Sequence, residues 1–247
     1  RGSNMSRFVA LVRRELGVYF YSPIAYVILT GMLFVTGFMF FFGNVKPSND
    51  MRIPFQFDQT LYLLVWIVIF ICPWVTARLL AEEKHTGTLE TLMTAPVSEL
   101  QVVLAKFLSA MVFIAYLLLP TLAYVGLIYS HADIDLGAIV TGYCGVLLAA
   151  GWIVSIGMFI SSLCRNQMTA GILTLLASMG LFLIAIIPSL MPEELWVKEF
   201  LEAVNLVRYT EDFLRGVVDS RQLVVGFSVM LFFLYQTVVA LGSRRWR

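Results

Sequence analysis

Long uncharged stretches dominate the pattern of polar and apolar positions along this chain of 247 residues. Ionisable side chains divide the sequence into six such stretches, and each is long enough for a helix of about 20 residues to cross a bilayer. The stretches are continuously apolar and do not alternate at every second position, which indicates helices rather than strands of a barrel. We therefore predict an all-α integral membrane protein with six transmembrane helices, at about residues 23–44, 59–80, 100–130, 136–164, 167–190 and 222–243.

The segment before the first span has the periodicity of an amphipathic helix. Apolar side chains recur at spacings of three and four, while Arg7, Arg13 and Arg14 lie away from that face. We predict an interfacial helix over residues 5–21 that lies along the inner leaflet. Residues 1–4 have the character of an expression remnant, which leaves a single transmembrane domain over residues 5–247. The predicted apolar face consists of Met5, Phe8, Val9, Val12, Leu16, Tyr19 and Phe20.

Composition supports the bilayer as the solvent of this chain. Hydrophobic residues make up 60% of it and charged residues 13%, whereas soluble domains are about half apolar and a quarter charged. The net charge of +1 gives no field that would attract nucleic acid, so we expect no such partner. The three cysteines, Cys72, Cys144 and Cys164, have the spacing of neither a zinc site nor a disulfide framework, and we expect them to pack as small apolar residues.

Basic residues are distributed unevenly between the two sides of the membrane. Ten Lys and Arg residues lie on the side of the two termini and six on the other, once Arg1 is set aside. Because basic loops remain inside, both termini are predicted to be cytoplasmic. The connection after the fifth span is then extracytoplasmic, and Pro192 followed by Glu193 and Glu194 predicts short helices there.

The fourth span carries small residues at a spacing of four. Such a face lets transmembrane helices bring their backbones close together. We predict that this face packs tightly on a neighbouring helix, through Gly137, Thr141, Gly145 and Ala149.

The cytoplasmic connection between spans two and three has the pattern of a short transverse helix between two fixed ends. Gly87 is predicted to end the second helix, and Pro96 to stop the short helix that follows. Ser98 and Gln101 then form a predicted capping box that opens the third span. A short helix tied to two spans is suited to act as a lever for a cytoplasmic partner.

The same segment resembles the signature of type-2 ABC exporter permeases. The motifs that carry the resemblance are Glu82-Glu83-Lys84, Gly87-Thr88-Leu89-Glu90 and Ala95-Pro96-Val97-Ser98. Further similarity lies in Arg14-Glu15-Leu16, Ser22-Pro23, Glu211-Asp212-Phe213, Arg215-Gly216-Val217 and Arg244-Arg245-Trp246. Together these are most similar to the permeases associated with bacterial gliding motility, and next to those of nitrous-oxide-reductase maturation.

The resemblance implies a multi-pass permease of the bacterial cytoplasmic (inner) membrane whose transverse helix is a coupling helix. It implies an ABC ATPase as partner, two copies of each subunit or a second, related permease, and an auxiliary subunit with an extracytoplasmic domain. The chain has no phosphate-binding loop, so ATP and magnesium are expected in the ATPase, and no cofactor, metal or catalytic residue in this chain. The candidate coupling residues are Glu82, Glu83, Lys84, Gly87, Thr88, Leu89, Glu90 and Leu92.

Three other functions are alternatives to export. The complex could transmit ATP-driven force to extracytoplasmic partners without moving a substrate. An intramembrane enzyme needs a cluster of ionisable residues, yet the apolar stretches show none, and His85 and His131 lie on opposite sides. A secondary transporter would mark its ion path with buried charge, and we expect none in these spans. Membrane lipid is the remaining expected partner.

Overall fold

The computed structural model describes residues 2–44, 57–88, 98–129, 135–190, 210, 212–214 and 216–243. The helices are α1 (Gly2–Phe20), α2 (Pro23–Asn44), α3 (Phe57–Ala77), α4 (Glu83–His85), α5 (Glu99–Leu118), α6 (Leu122–Tyr129), α7 (Leu136–Leu163), α8 (Gln167–Leu190) and α9 (Ser220–Gly242). A π-helical segment, Arg78–Glu82, joins α3 to α4, and a 3-10 turn, Leu119–Thr121, joins α5 to α6. The predicted coupling helix, beyond Thr88, and the short helices predicted from Pro192 onward lie outside the described residues.

Six helical rods in this part of the chain are long and apolar enough to cross a membrane. They are Pro23–Phe42, Thr60–His85, Glu99–Leu127, Leu136–Leu163, Gln167–Ile184 and Ser220–Gly242. The predicted all-α fold with six spans is confirmed, and no strand occurs among the described residues. The second rod extends five residues beyond the predicted end at position 80, because its helix continues through the charged residues 82–84.

The central helix of the bundle is α7, which packs against α3, α5, α8 and α9. Neighbouring side chains approach its backbone closely. A Cβ atom on Gly142 would lie 2.6 Å from Leu61 Cδ1, and one on Gly145 would lie 2.7 Å from Phe213 Cβ. Small residues on α7 therefore set the distance between the helices at the centre of the bundle.

The small-residue face predicted for the fourth span has two different environments. Gly145 and Ala149 are buried in the bundle, whereas Thr141 is half-buried and Gly137 is exposed. Among the described residues, only the Asp135 side chain lies within 4 Å of the position of a Cβ atom on Gly137. The close contacts of α7 thus begin at Gly142 and continue to Gly157, and they leave out the first turn of the helix.

The N-terminal helix packs on α5 through a face that coincides only in part with the predicted one. Its buried residues among those described are Leu11, Glu15 and Tyr19. Phe8 and Val12 of the predicted face pack beside Leu11, whereas Met5 and Val9 are exposed. The prediction counted apolar residues alone, so it could not include a buried glutamate. Since α1 begins at Gly2, the helix also extends into the segment assigned to an expression remnant.

Pro73 lies inside α3 without interrupting it. Proline has no N–H, so the carbonyl of Ile69, four residues earlier, loses its helical donor. The Ser178 hydroxyl on α8 lies 3.5 Å from that carbonyl oxygen and 2.9 Å from the carbonyl oxygen of Leu175 in its own helix, so its single proton is shared between the two. A hydroxyl on a neighbouring helix thus compensates in part for the missing hydrogen bond.

Candidate functional site

The second span ends in a well-defined turn. The Thr86 N–H donates to the Glu82 carbonyl at 2.9 Å, and Gly87 follows with a φ of 73°. A positive φ is accessible to glycine at little cost, which is why glycine commonly follows the last turn of a helix. The helix therefore ends where the sequence predicts.

The π-helical segment is held by a serine of the central helix. The N–H groups of Leu80 and Ala81 donate to Ser161 Oγ at 3.3 and 3.0 Å. The Ser161 hydroxyl lies 3.5 Å from the carbonyl oxygen of Ala77, to which it donates. A π segment widens the helix and displaces backbone groups from their regular partners, and here one hydroxyl satisfies them. The base of the second span is thereby fixed to the end of α7.

A second link between the same two rods is made by Lys84. Its ammonium group donates to the carbonyl of Ser162, in the last turn of α7. The final carbonyls of a helix have no partner within it and attract positive charge. Lys84 therefore points towards the bundle, not away from it.

A buried ion cluster joins three helices at this end of the molecule. Lys106, two turns into α5, is 1% exposed. Its Nζ lies 2.9 Å from Glu15 Oε2 on α1 and 2.9 Å from Glu83 Oε1 on α4. Arg14 adds a weaker contact, since its Nη2 lies 3.9 Å from Glu83 Oε1 and its side chain is 53% exposed. We call Glu15, Glu83 and Lys106 the ion cluster, and the end of the bundle that contains it the Lys106 end.

The ion cluster is not fully satisfied by hydrogen bonds. Among the described residues, Glu15 Oε1 and Glu83 Oε2 are buried without a hydrogen-bond partner. Buried ionic groups often contribute less to stability than an apolar replacement would, so their presence is better explained by the arrangement that they specify. Here that arrangement fixes α1, α4 and α5 relative to one another.

The expectation of spans without buried charge was wrong at Lys106. In the sequence this lysine marks the boundary of an apolar stretch, and its partner Glu15 is 91 positions away. The sequence contains one indication that Lys106 is buried: it lies within the predicted third span, with apolar residues on both sides. A one-dimensional count of charges cannot show which of them become paired and buried.

Tyr19 adds a further contact between α1 and the spans. Its ring stacks on Phe113 with centroids 4.8 Å apart, and its hydroxyl donates to the Val75 carbonyl at 3.4 Å. Burial, reinforced by the negative charge of Glu15, raises the pKa of the Tyr19 hydroxyl, which therefore remains a donor. The N-terminal helix is thus attached to α3 as well as to α5.

The predicted coupling residues fall into two groups. Glu82 and Thr88 are exposed, whereas Glu83 and Lys84 are half-buried and bind other helices of the bundle. Leu89, Glu90 and Leu92 lie outside the described residues. The available polar surface at the end of the second span is therefore smaller than the sequence suggests.

Comparisons with known proteins agree with this architecture. The family model described as ABC-2 family transporter protein matches residues 54–205, more than half of the chain. The match includes the second span, the turn at Gly87 and Lys106. No curated protein matches the chain. With its six candidate spans, the chain belongs to the ABC-2 family of transporter membrane proteins.

Proposed function

We propose that this chain is the permease subunit of an ATP-driven ABC exporter, and that residues 82–96 couple it to a separate ATPase subunit. Permeases of the ABC-2 family generally pair with an ABC ATPase. The observation that carries the proposal is the rigid attachment of the exposed end of the second span. Ser161, Lys84 and the ion cluster bind this end to α7, α1 and α5.

Because the end of the second span is fixed to other helices, a partner that moves this end also moves those helices. A partner that binds a flexible loop loses its motion in the loop, whereas a partner that binds a fixed turn displaces the helices attached to it. Only His85 and Thr86 separate Lys84 from the turn at Gly87, so little backbone freedom separates a partner from the bundle. This geometry supports transmission of motion to several helices together.

The contacts that we assign to the ATPase are those that the bundle leaves available. Glu82 and Thr88 are exposed, and Leu89, Glu90 and Leu92 follow in the proposed coupling helix, with Gly87 supplying the turn. ATP and magnesium are bound by the ATPase in this proposal. The working unit contains two ATPase subunits and a homodimer of this chain in the bacterial inner membrane, with both termini cytoplasmic. A complex of the gliding-motility type, with an auxiliary subunit, is the finer form of the proposal.

The coupling proposal is tested by neutralising Glu82 and Glu90 together, as Glu82→Gln and Glu90→Gln. We expect binding of the purified ATPase subunit to weaken by about tenfold or more, because charge-assisted hydrogen bonds to a partner are lost. Stimulation of ATP hydrolysis by the permease should fall with it. Titration of the ATPase against the permease in lipid nanodiscs measures both quantities.

The matched control removes two negative charges at the other end of the bundle, as Asp135→Asn and Asp219→Asn. Both residues cap helices, and asparagine is an equally good cap, so the fold should persist. ATPase binding should be unchanged in this control. Equal stimulation of ATP hydrolysis by the Glu82→Gln, Glu90→Gln variant and the wild type would refute the proposed contact.

The proposed orientation is tested by labelling with a membrane-impermeant maleimide. In a background with Cys144 and Cys164 replaced by Ser, His85→Cys should react only after spheroplasts are permeabilised. Ser220→Cys, which is exposed at the opposite end, should react in intact spheroplasts. The reverse pattern would place the turn at Gly87 outside the cell, beyond the reach of ATP.

A further inference from the structure

A cavity of about 480 Å³ lies between α2, α3 and α8 at the Lys106 end of the bundle. Its mouth is formed by the exposed side chains of Ile24, Trp74 and Met168, and its inner wall by Tyr19 and Phe113. The mouth therefore faces the surroundings of the bundle, which are lipid for a membrane-spanning protein. The volume is within the range of specific small-ligand sites.

Arg78 gives this largely apolar cavity a positive charge. Its Nη1 donates to Ser22 Oγ at 3.1 Å, and the guanidinium group makes no other hydrogen bond among the described residues. Arg78 takes part in none of the ion pairs found among the described residues. An arginine near the hydrocarbon without an acidic partner is costly, and an anion from outside the chain would offset that cost.

The beginning of α8 adds to the positive potential. Gln167 and Met168, its first two residues, line the same cavity. The Asn166 side chain already accepts from the Met168 N–H at 3.0 Å, so the start of α8 contributes the positive end of its dipole and not a free N–H at that residue. Among the described residues, no carboxylate lines the cavity. Arg78, hydrogen-bonded to Ser22, thus supplies the charged contact for an anion, and the dipole of α8 favours the same charge.

The position of the cavity relative to the helix ends indicates which kind of anion could bind there. Ser22 immediately precedes α2, Arg78 follows α3, and Gln167 begins α8, so the polar groups lie where these three helices start or end, about two turns before the end of the second span at His85. This is the level of lipid headgroups, and Trp74 has the exposure of an interfacial aromatic residue. Ile24 and Ile28 extend the lining along α2 and offer an apolar surface for acyl chains.

We propose that Arg78 and Ser22, beside the positive end of α8, bind the phosphate of an acidic phospholipid whose acyl chains lie against Ile24, Ile28 and Trp74. Basic pockets between transmembrane helices are a recognised arrangement for anionic headgroups. The inference requires the six spans to be in a bilayer. It does not depend on coupling to an ATPase, and it is tested on the isolated chain.

The test uses the purified chain with phosphatidylglycerol or phosphatidylcholine added, and native mass spectrometry to count bound lipids. Wild type should retain phosphatidylglycerol in preference to phosphatidylcholine. Arg78→Gln should weaken retention of phosphatidylglycerol by about tenfold, because a charge-assisted contact to phosphate is removed. Arg165→Gln is the matched control, since it removes an exposed cation from the connection between α7 and α8 and should leave retention unchanged.

A second variant tests the cavity separately from its charge. Ile24→Trp keeps Arg78 and adds bulk at a half-exposed position of the mouth, so it should lower phosphatidylglycerol binding without unfolding the chain. This variant decides the question if Arg78→Gln does not fold.

Three results would overturn the proposal. One is equal retention of the two lipids by the wild type. Another is an equal loss of binding in Arg165→Gln and Arg78→Gln, which would indicate a diffuse surface charge. The third is displacement of phosphatidylglycerol by inorganic phosphate at comparable concentration, which would indicate a free-anion site in place of a lipid site.

Discussion

Replacement of Lys106 by methionine is expected to lower the free energy of unfolding by about 3–5 kcal/mol, because it leaves the buried carboxylate of Glu15 and the half-buried one of Glu83 without their closest cation. Glu15 and Glu83 each have one oxygen 2.9 Å from Lys106 Nζ and a second buried oxygen without a hydrogen-bond partner among the described residues. Removal of the ammonium group exposes each carboxylate to the repulsion of the other. Equilibrium unfolding of the purified chain in mixed micelles measures the loss.

The same position provides a rescue experiment. A triple variant with methionine at positions 15, 83 and 106 removes all three charges and keeps similar side-chain volumes. We expect it to recover most of the lost stability, since an apolar replacement of a whole buried ion cluster is often neutral or stabilising. Arg165→Met, an exposed cation at the same end, should change stability by less than about 0.5 kcal/mol. A triple variant no more stable than Lys106→Met alone would show that unpaired charge is not the cause.

The second large effect is expected at Gly157, where α3 and α8 both approach the central helix. A Cβ atom there would lie 2.8 Å from Thr76 Cβ and 2.7 Å from Thr174 Cγ2. Both threonines are buried and branched at Cβ, so neither can turn away. Gly157→Ala should therefore destabilise the chain by about 1–3 kcal/mol, the usual range for an overpacked core. The same unfolding measurement gives the change.

The control for Gly157→Ala adds the same methyl group where there is space for it. Gly180 lies inside α8, and in the part of the chain that the structure describes no atom outside its own helix lies within 4 Å of where its Cβ would be. Gly180→Ala should leave stability unchanged or raise it, because alanine favours the helix. If both variants lost the same stability, a general sensitivity to helix substitutions would explain the result, and the close approach at Gly157 would not.

Both predictions concern the contacts that hold the second span in its place in the bundle. Gly157 sets how closely α7 lies against α3 and α8, and the ion cluster fixes the end of the second span to α1 and α5. Variants that weaken either connection should also reduce coupling to an ATPase in the proposed complex. Glu82→Gln differs from them, because Glu82 is exposed and should affect coupling without affecting stability.

Local features of the coupling segment were predictable because they depend on neighbours in sequence. The capping box at the start of α5 is present, with Gln101 N–H donating to Ser98 Oγ at 3.3 Å and Ser98 N–H donating to Gln101 Oε1 at 3.1 Å. Gly87 likewise ends the second helix in the left-handed region. Both depend on three or four consecutive residues, so the chain needs no tertiary contact to specify them.

The sequence does not distinguish the roles of two neighbouring residues of the same type, and two such pairs occur in this region. Glu82 and Glu83 are neighbours with the same side chain, yet one is exposed and the other binds Lys106. Ser161 and Ser162 both contact the second span, the first through its hydroxyl and the second through its backbone carbonyl. The helix changes to π geometry at Arg78, which changes the side of the helix on which each later side chain lies. The spacing of polar residues in the sequence therefore does not show which of them faces the bundle.

The sequence by itself determined the class of protein, the number of spans and their approximate places along the chain. These follow from the length of apolar stretches, since each residue in a bilayer contributes its own transfer free energy largely independently of the others. Only the tertiary structure decided that Lys106 is buried between two glutamates, that Gly157 admits no side chain, and that Arg78 faces a cavity. Those properties depend on which helices become neighbours, and pairwise contacts between residues far apart in sequence leave no periodic signal in it.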